Sequence, residues 1–184
     1  MNFLTHILIS KTVYRRLSRQ TEIDKGAFLY GNIKPDLTPK CLSNPHTLDN
    51  YLFIVCGKSN QLLNQDLSVK EFSEELGVLC HYICDFFCYY HLDSQLHHKL
   101  FAHFIYELRL HFLMRTMLLE RKITFSTSGK AIRKNIGFII MEMRKEYLSR
   151  KQSPREDIRY AFLATIWSCE SILSFSKTSS GTAA

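Results

Sequence analysis

Glycine and proline are scarce in this sequence, with seven Gly and four Pro among 184 residues. Since all-β folds connect many short strands through turns rich in these residues, the composition argues against such a fold. A disordered chain is also excluded, because 46% of the residues are hydrophobic and 22% are charged. No apolar run approaches the roughly 18 residues of a membrane-spanning helix. The N-terminal residues lack the features of a secretory leader, so we expect a cytoplasmic protein without a transmembrane segment.

Disulfide bonds are not required for stability, although the chain has six cysteines. A domain of this length buries roughly 70% of its unfolded surface and can form a core without cross-links. Cys80, Cys84 and Cys88 share one face of a predicted helix, at a spacing that fits neither zinc ribbons nor common iron–sulfur motifs. We interpret them as core thiols.

The net charge of +7 favours anionic partners such as phosphates, nucleic acids or lipid head groups. Between Arg109 and Arg159 there are 13 Lys or Arg against five Asp or Glu. These basic residues either draw the protein to an anionic membrane surface or form an ordinary solvated helical face.

Apolar residues recur with helical spacing along the chain, and no segment alternates like a β-strand. Ser68 and Glu71 form one capping box, and Ser153 and Glu156 form another, with Pro154 at the first helical position. The pattern predicts an all-α, single-domain multi-helix bundle. Its helices are expected over about 2–18, 24–30, 46–63, 68–91, 93–122, 128–148 and 153–175.

Histidines and acidic residues occur in a repeated register. His81 and Asp85 are four residues apart and therefore point from one helix face, and His103 and Glu107 repeat this arrangement. His91 lies between the two pairs. One such pair alone is more often an ordinary surface pair. Two pairs on neighbouring helices can enclose metal ions, and imidazole with carboxylate is a donor set suited to zinc.

Three further histidines, His97, His98 and His111, show no partner pattern. We interpret them as surface residues or as residues that support the metal ligands. His111 continues the face of His103 and Glu107 by one turn.

The complete pattern is more specific than its parts. It reads His6, Pro35-Asp36, His46, His81-x3-Asp85, His91 and His103-x3-Glu107. The block HYICDFFCYYHLDSQLHHKLFAHFIYE, preceded by THILIS and GNIKPD, resembles the zinc-dependent phospholipases C of bacteria, which are related in fold to the P1-type nucleases. The resemblance covers roughly residues 1–110. It implies a phospholipase C-like catalytic domain, which we assign to 1–176, followed by a flexible tail over 177–184.

The resemblance also implies a set of metal ligands and two or three zinc ions. One zinc would be held by Asp36, His46, His81 and Asp85, a second by His91, His103 and Glu107, and a third by His6 and the shared Asp85. In the secreted enzymes an N-terminal tryptophan completes the third site through its amino and carbonyl groups. This sequence has no early tryptophan, and we take the Met1 amine as the candidate substitute.

The reaction implied by the resemblance is hydrolysis of a phospholipid on the glycerol side of its phosphate. Asp36 is the candidate for a combined ligand and general base. Two alternatives stay open: a nuclease or nucleotide phosphodiesterase on the same cluster, and a non-catalytic zinc-binding protein. Base-stacking aromatic residues beside the cluster would favour nucleic acid. The sequence offers Tyr51, Phe53, Tyr89 and Tyr90 nearby.

Overall fold

The structure is a computed structural model that describes residues 1–37, 44–120 and 135–179, with side chains described up to residue 175. In these ranges the chain forms eight α-helices and no strand, so the all-α prediction is confirmed. The helices are α1 (Phe3–Leu17), α2 (Lys25–Gly31), α3 (Leu48–Asn64), α4 (Val69–Phe86), α5 (Ser94–His97), α6 (Leu100–Leu119), α7 (Ile136–Leu148) and α8 (Pro154–Ser179). Short 3-10 turns span Lys34–Leu37 and Tyr89–His91.

Helix starts follow the local capping chemistry of the sequence. The Ser68 hydroxyl accepts the Glu71 amide while the Glu71 carboxylate accepts the Ser68 amide, which is the predicted capping box of α4. At the start of α8, Ser153 Oγ accepts the amide of Glu156. Side-chain oxygens of Asn2, Asp24 and Thr47 cap α1, α2 and α3 in the same way.

Helix α4 is the central element of the bundle. It contacts α1, α2, α3 and α8. Its predicted apolar stripe is buried, with Leu76, Leu79, Ile83 and Phe86 fully inaccessible. The three cysteines on α4 and just after it are also fully buried and form no disulfide. A helix surrounded in this way can carry polar ligands only if they face partners inside the bundle.

Two glycines allow α2 to lie against α4. A Cβ at Gly77 would be 2.3 Å from the Phe28 carbonyl oxygen, and one at Gly31 would be 2.0 Å from the Glu74 carbonyl oxygen. Both contacts are with backbone atoms, so a side chain at either position would force the helices apart. The close approach brings the Asn32 carbonyl against the His81 ring.

The helix predicted to continue to His91 ends at Phe86 instead. Arg144 donates to the Phe86 carbonyl, and the Tyr89 amide donates to Asp157 Oδ2 at 2.8 Å. These side chains from α7 and α8 replace the helical hydrogen bonds at the break. On a continuous helix His91 would lie about 120° around the axis from Asp85. The break instead turns His91 towards Asp85.

The single helix predicted over 93–122 is also wrong. Asp93 caps a one-turn helix, α5, and a turn at His98 and Lys99 separates it from α6. For the helix predicted over 128–148, residues 128–134 lie outside the described residues, and α7 begins at Ile136. The last helix runs to Ser179, whereas 180–184 of the predicted tail also lie outside them. The division into domain and tail stays a prediction.

No helix in the described part of the chain is long and apolar enough to cross a membrane.

We predict that Gly77→Ala lowers the free energy of unfolding, by about 1–3 kcal/mol, because the added methyl group meets the Phe28 carbonyl. Gly57→Ala in α3 is the matched control. A Cβ there meets no atom within 4 Å, so it should raise the free energy of unfolding by about 0.5–1 kcal/mol. Urea denaturation of both variants measures the difference, and equal effects would contradict the packing described for α2 and α4.

Candidate metal centre

The structure brings all eight predicted metal-ligating side chains into one cluster. They come from six segments of the chain that converge at one end of α4. The contributing residues are His6 (α1), Asp36 (first 3-10 turn), His46 (before α3), His81 and Asp85 (α4), His91 (second 3-10 turn), and His103 and Glu107 (α6).

The first group of donors has the spacing of a tetrahedral zinc site. His46 Nδ1 lies 3.0 Å from His81 Nε2 and 3.1 Å from Asp85 Oδ2. Asp36 Oδ1 lies 3.5 Å from His81 Nε2 and 3.9 Å from His46 Nδ1. Four donors at about 2.1 Å from a zinc ion lie about 3.4 Å from one another. The four donor atoms therefore match the dimensions of one zinc ion.

The second group lies across Asp85 from the first. His91 Nε2 is 3.2 Å from both His103 Nε2 and Glu107 Oε1, and His103 Nε2 is 2.8 Å from Glu107 Oε1. The other ring nitrogen of His91 lies 3.7 Å from Asp85 Oδ2. The triangle of His91, His103 and Glu107 donors thus fits a second ion.

The remaining donors surround the other oxygen of Asp85. His6 Nε2 lies 3.2 Å from Asp85 Oδ1, and the Met1 amine contacts the same oxygen. The amine also lies 3.0 Å from His91 Nε2 and 3.2 Å from Glu107 Oε1. A fully buried ammonium group therefore sits among carboxylate and imidazole acceptors. This is where a bound cation would be stabilised.

Charge compensation within the cluster is strong. Burial alone would raise the pKa of Asp85, but the nearby His91, Met1 amine, His6 and His81 outweigh it and hold this pKa well below the ordinary value. Burial, with the neighbouring His81, lowers the pKa of His6 to about 4. An ionised carboxylate and a neutral imidazole are the forms in which these groups bind zinc.

Backbone carbonyls fix the orientation of two ligand rings. His81 Nδ1 lies 2.9 Å from the Asn32 carbonyl, and His103 Nδ1 lies 3.3 Å from the His97 carbonyl. A carbonyl only accepts, so each Nδ1 donates and the Nε2 of the neutral ring faces the cluster as an acceptor. Acceptors that face one another and carboxylate oxygens at these distances need a cation between them. The residues present therefore fit zinc ions.

Sequence reasoning undervalued two residues beside the second group. The His97 ring lies 4.8 Å from the ring of His103, and its buried Nδ1 has no hydrogen-bond partner. Cys88 belongs, with His91 and Glu107, to a set of donors close enough to share an ion. Neither residue has the i, i+4 partner that revealed the others.

The other two histidines without a pattern differ from each other. His98 is exposed, as expected for a surface residue. His111 is buried, and its Nδ1 lies 3.3 Å from Thr5 Oγ1, so it joins α6 to α1 near the cluster.

A buried carboxylate outside the cluster, Asp157 on α8, anchors the second group. It accepts hydrogen bonds from the Tyr89 amide at 2.8 Å and from the hydroxyls of Tyr106 at 2.7 Å and Tyr147 at 2.8 Å. Tyr89 opens the 3-10 turn of His91. Tyr106 directly precedes Glu107. Asp157 therefore ties both segments to the same helix.

The bundle and its buried imidazole–carboxylate cluster define the class of the molecule, an all-α protein with a candidate zinc centre. A profile of the zinc-dependent phospholipase C family matches residues 5–154, which is most of the chain and includes all eight predicted ligands. The chain belongs to this family. No curated protein and no solved structure gave a significant match.

We predict that Asp85→Asn lowers zinc content more than Glu107→Gln. Asp85 offers one oxygen to the first group and the other to His6, whereas Glu107 belongs to the second group. Zinc per protein after dialysis at matched free zinc measures this, with circular dichroism as a check of folding. The exposed Asp49→Asn is the matched control and should bind as much zinc as the wild type. Equal zinc loss in the two ligand variants would contradict a shared role for Asp85.

We also predict that a short Gly-Ser extension before Met1 removes one zinc ion and lowers activity without unfolding the protein. The extension converts the buried amine into an amide, which does not bind zinc in place of the amine. The same extension placed at the C-terminus is the control. If both proteins bind the same number of zinc ions with the same turnover, the Met1 amine is not a ligand.

Proposed function

We propose that this protein is a zinc-dependent phosphodiesterase that hydrolyses phospholipids at the glycerol-side phosphodiester bond. The observation that carries the proposal is the cluster of eight donors in two groups that share Asp85, together with membership of the zinc-dependent phospholipase C family. The first group would hold one ion and the second group another, and His6 with the Met1 amine would hold a third.

Bound zinc ions would supply a water molecule of lowered pKa and neutralise charge on the phosphoryl oxygens. The residues of this chain then have separate tasks. His81 and His103 keep their Nε2 atoms directed into the cluster through their carbonyl partners. Burial around Asp85 excludes bulk water and strengthens its interactions with the bound charges.

Asp36 is the proposed general base. Its side chain is 19% exposed, compared with 12% for Glu107 and 0% for Asp85, so it is the carboxylate of the cluster most open to a water molecule. In the proposed reaction the water oxygen attacks phosphorus and its proton passes to Asp36. The bond between phosphorus and the glycerol oxygen breaks. Diacylglycerol and a phosphorylated head group are the products.

The nuclease alternative receives less support from the aromatic residues beside the cluster. Tyr51 stacks on Tyr82 at 4.6 Å between ring centroids, and Tyr90 stacks on His103 at 5.2 Å. Rings held in this way are engaged with other side chains. Phe53 is 89% exposed and is open to contact with a substrate.

The test is a substrate panel with the zinc-loaded full chain: choline lipids, inositol lipids and single-stranded DNA. We expect diacylglycerol release from at least one lipid, and a roughly hundredfold or greater loss of kcat in Asp36→Asn at saturating zinc. Asp66→Asn, an exposed aspartate in the loop before α4, is the matched control and should retain full turnover.

Two results would contradict the proposal. Cleavage of DNA with no cleavage of any lipid would transfer the site to the nuclease alternative. Stoichiometric zinc without turnover of any phosphodiester would leave a non-catalytic zinc-binding protein.

A further inference from the structure

The outward side of α6 is apolar. Phe101, Phe104, Leu108 and Phe112 follow one another at spacings of three, four and four residues, which places them along one side of the helix. The three phenylalanines are 80%, 62% and 55% exposed. We name these four residues the α6 stripe. A surface helix normally has a polar outward side, and an exposed apolar patch marks an interaction site.

The start of α1 lies beside α6 and is also apolar on its surface. Asn2 Nδ2 donates to the Glu107 carbonyl at 3.0 Å, which fixes the start of α1 to the middle of α6. Phe3 and Leu4 follow directly and are exposed. The apolar surface of α6 is thus accompanied by exposed apolar residues on its neighbour.

The exposed charges of these two helices are of one sign. They include Lys11, Arg15, Lys99, Arg109 and Arg115. No acidic residue precedes Glu22, and the only acidic residue from 99 to 119 is Glu107, which is buried in the metal cluster. Cationic groups around an apolar helix surface complement an anionic lipid interface, where the charges meet head groups and the phenyl rings enter the acyl boundary.

The stripe is joined to the cluster by the helix itself. His103 lies between Phe101 and Phe104, and Glu107 directly precedes Leu108, so α6 carries ligands on its inner side and the stripe on its outer side. A second copy of the chain fits this surface less well. A two-fold dimer through the stripe would bring the cationic residues of both copies together.

We propose that the α6 stripe docks the protein on an anionic phospholipid bilayer. The inference rests on the proposed function, because docking would hold the metal cluster close to lipid phosphates. It adds the surface through which the protein meets its substrate.

The experiment measures sedimentation of the zinc-loaded full chain with vesicles of phosphatidylcholine alone or with about a quarter phosphatidylglycerol. We expect tighter binding to the anionic vesicles, and a roughly five- to tenfold weaker binding for Phe101→Ser and for Phe112→Ser. Phe138→Ser on α7 is the matched control, since Phe138 is 53% exposed, and its binding should equal that of the wild type. Arg109→Gln with Arg115→Gln should reduce only the part of the binding that depends on phosphatidylglycerol and on low salt.

Equal vesicle binding by Phe112→Ser and Phe138→Ser would overturn the proposal. A dimer of the wild type that Phe112→Ser dissociates in sedimentation velocity would also overturn it and assign the stripe to self-association. Turnover of a monomeric short-chain phosphatidylcholine separates this inference from the proposed function. Vesicle binding through the stripe without any turnover would leave docking intact and reject the enzyme. Normal turnover of the short-chain lipid without vesicle binding would reject docking and retain the enzyme.

Discussion

One buried carboxylate, Asp85, is the group on which the arrangement of the whole site depends. It is fully inaccessible to solvent, and a buried charge without compensation costs several kcal/mol. The fold meets this cost by directing basic or metal-binding groups at both oxygens. They are the Met1 amine, His6, His46, His81 and His91. Because zinc ions in these positions would neutralise the same charge, metal binding and folding are expected to be coupled.

The geometry that places ligands around Asp85 comes from packing elsewhere in the bundle. Gly77 lets α2 approach α4 closely enough for a backbone carbonyl to orient His81. At the other end of the site, the bond from the Tyr89 amide to Asp157 helps to end α4, so that His91 turns inwards. The first group therefore relies on close helix packing and the second on a buried hydrogen-bond network. Both devices are rigid, as a preorganised metal site requires.

The helices and the ligand pairs were predictable because their signals are local. The register of His81 with Asp85 is a property of helix periodicity, and the capping box at Ser68 depends on a glutamate three residues away. The break after Phe86 was not predictable, because it depends on Asp157, 71 positions along the chain and seen only in the folded bundle. The place of His97 was missed for a related reason: it lies on a one-turn helix with no periodic partner.

The central claim is that Asp85 joins two groups of zinc ligands, and anomalous diffraction at the zinc absorption edge from crystals of the full chain tests it most directly. The account predicts one peak among the donors of His46, His81 and Asp85 and a second among those of His91, His103 and Glu107. The absence of zinc peaks at both positions, in crystals grown with zinc and with these side chains unmoved, would contradict it.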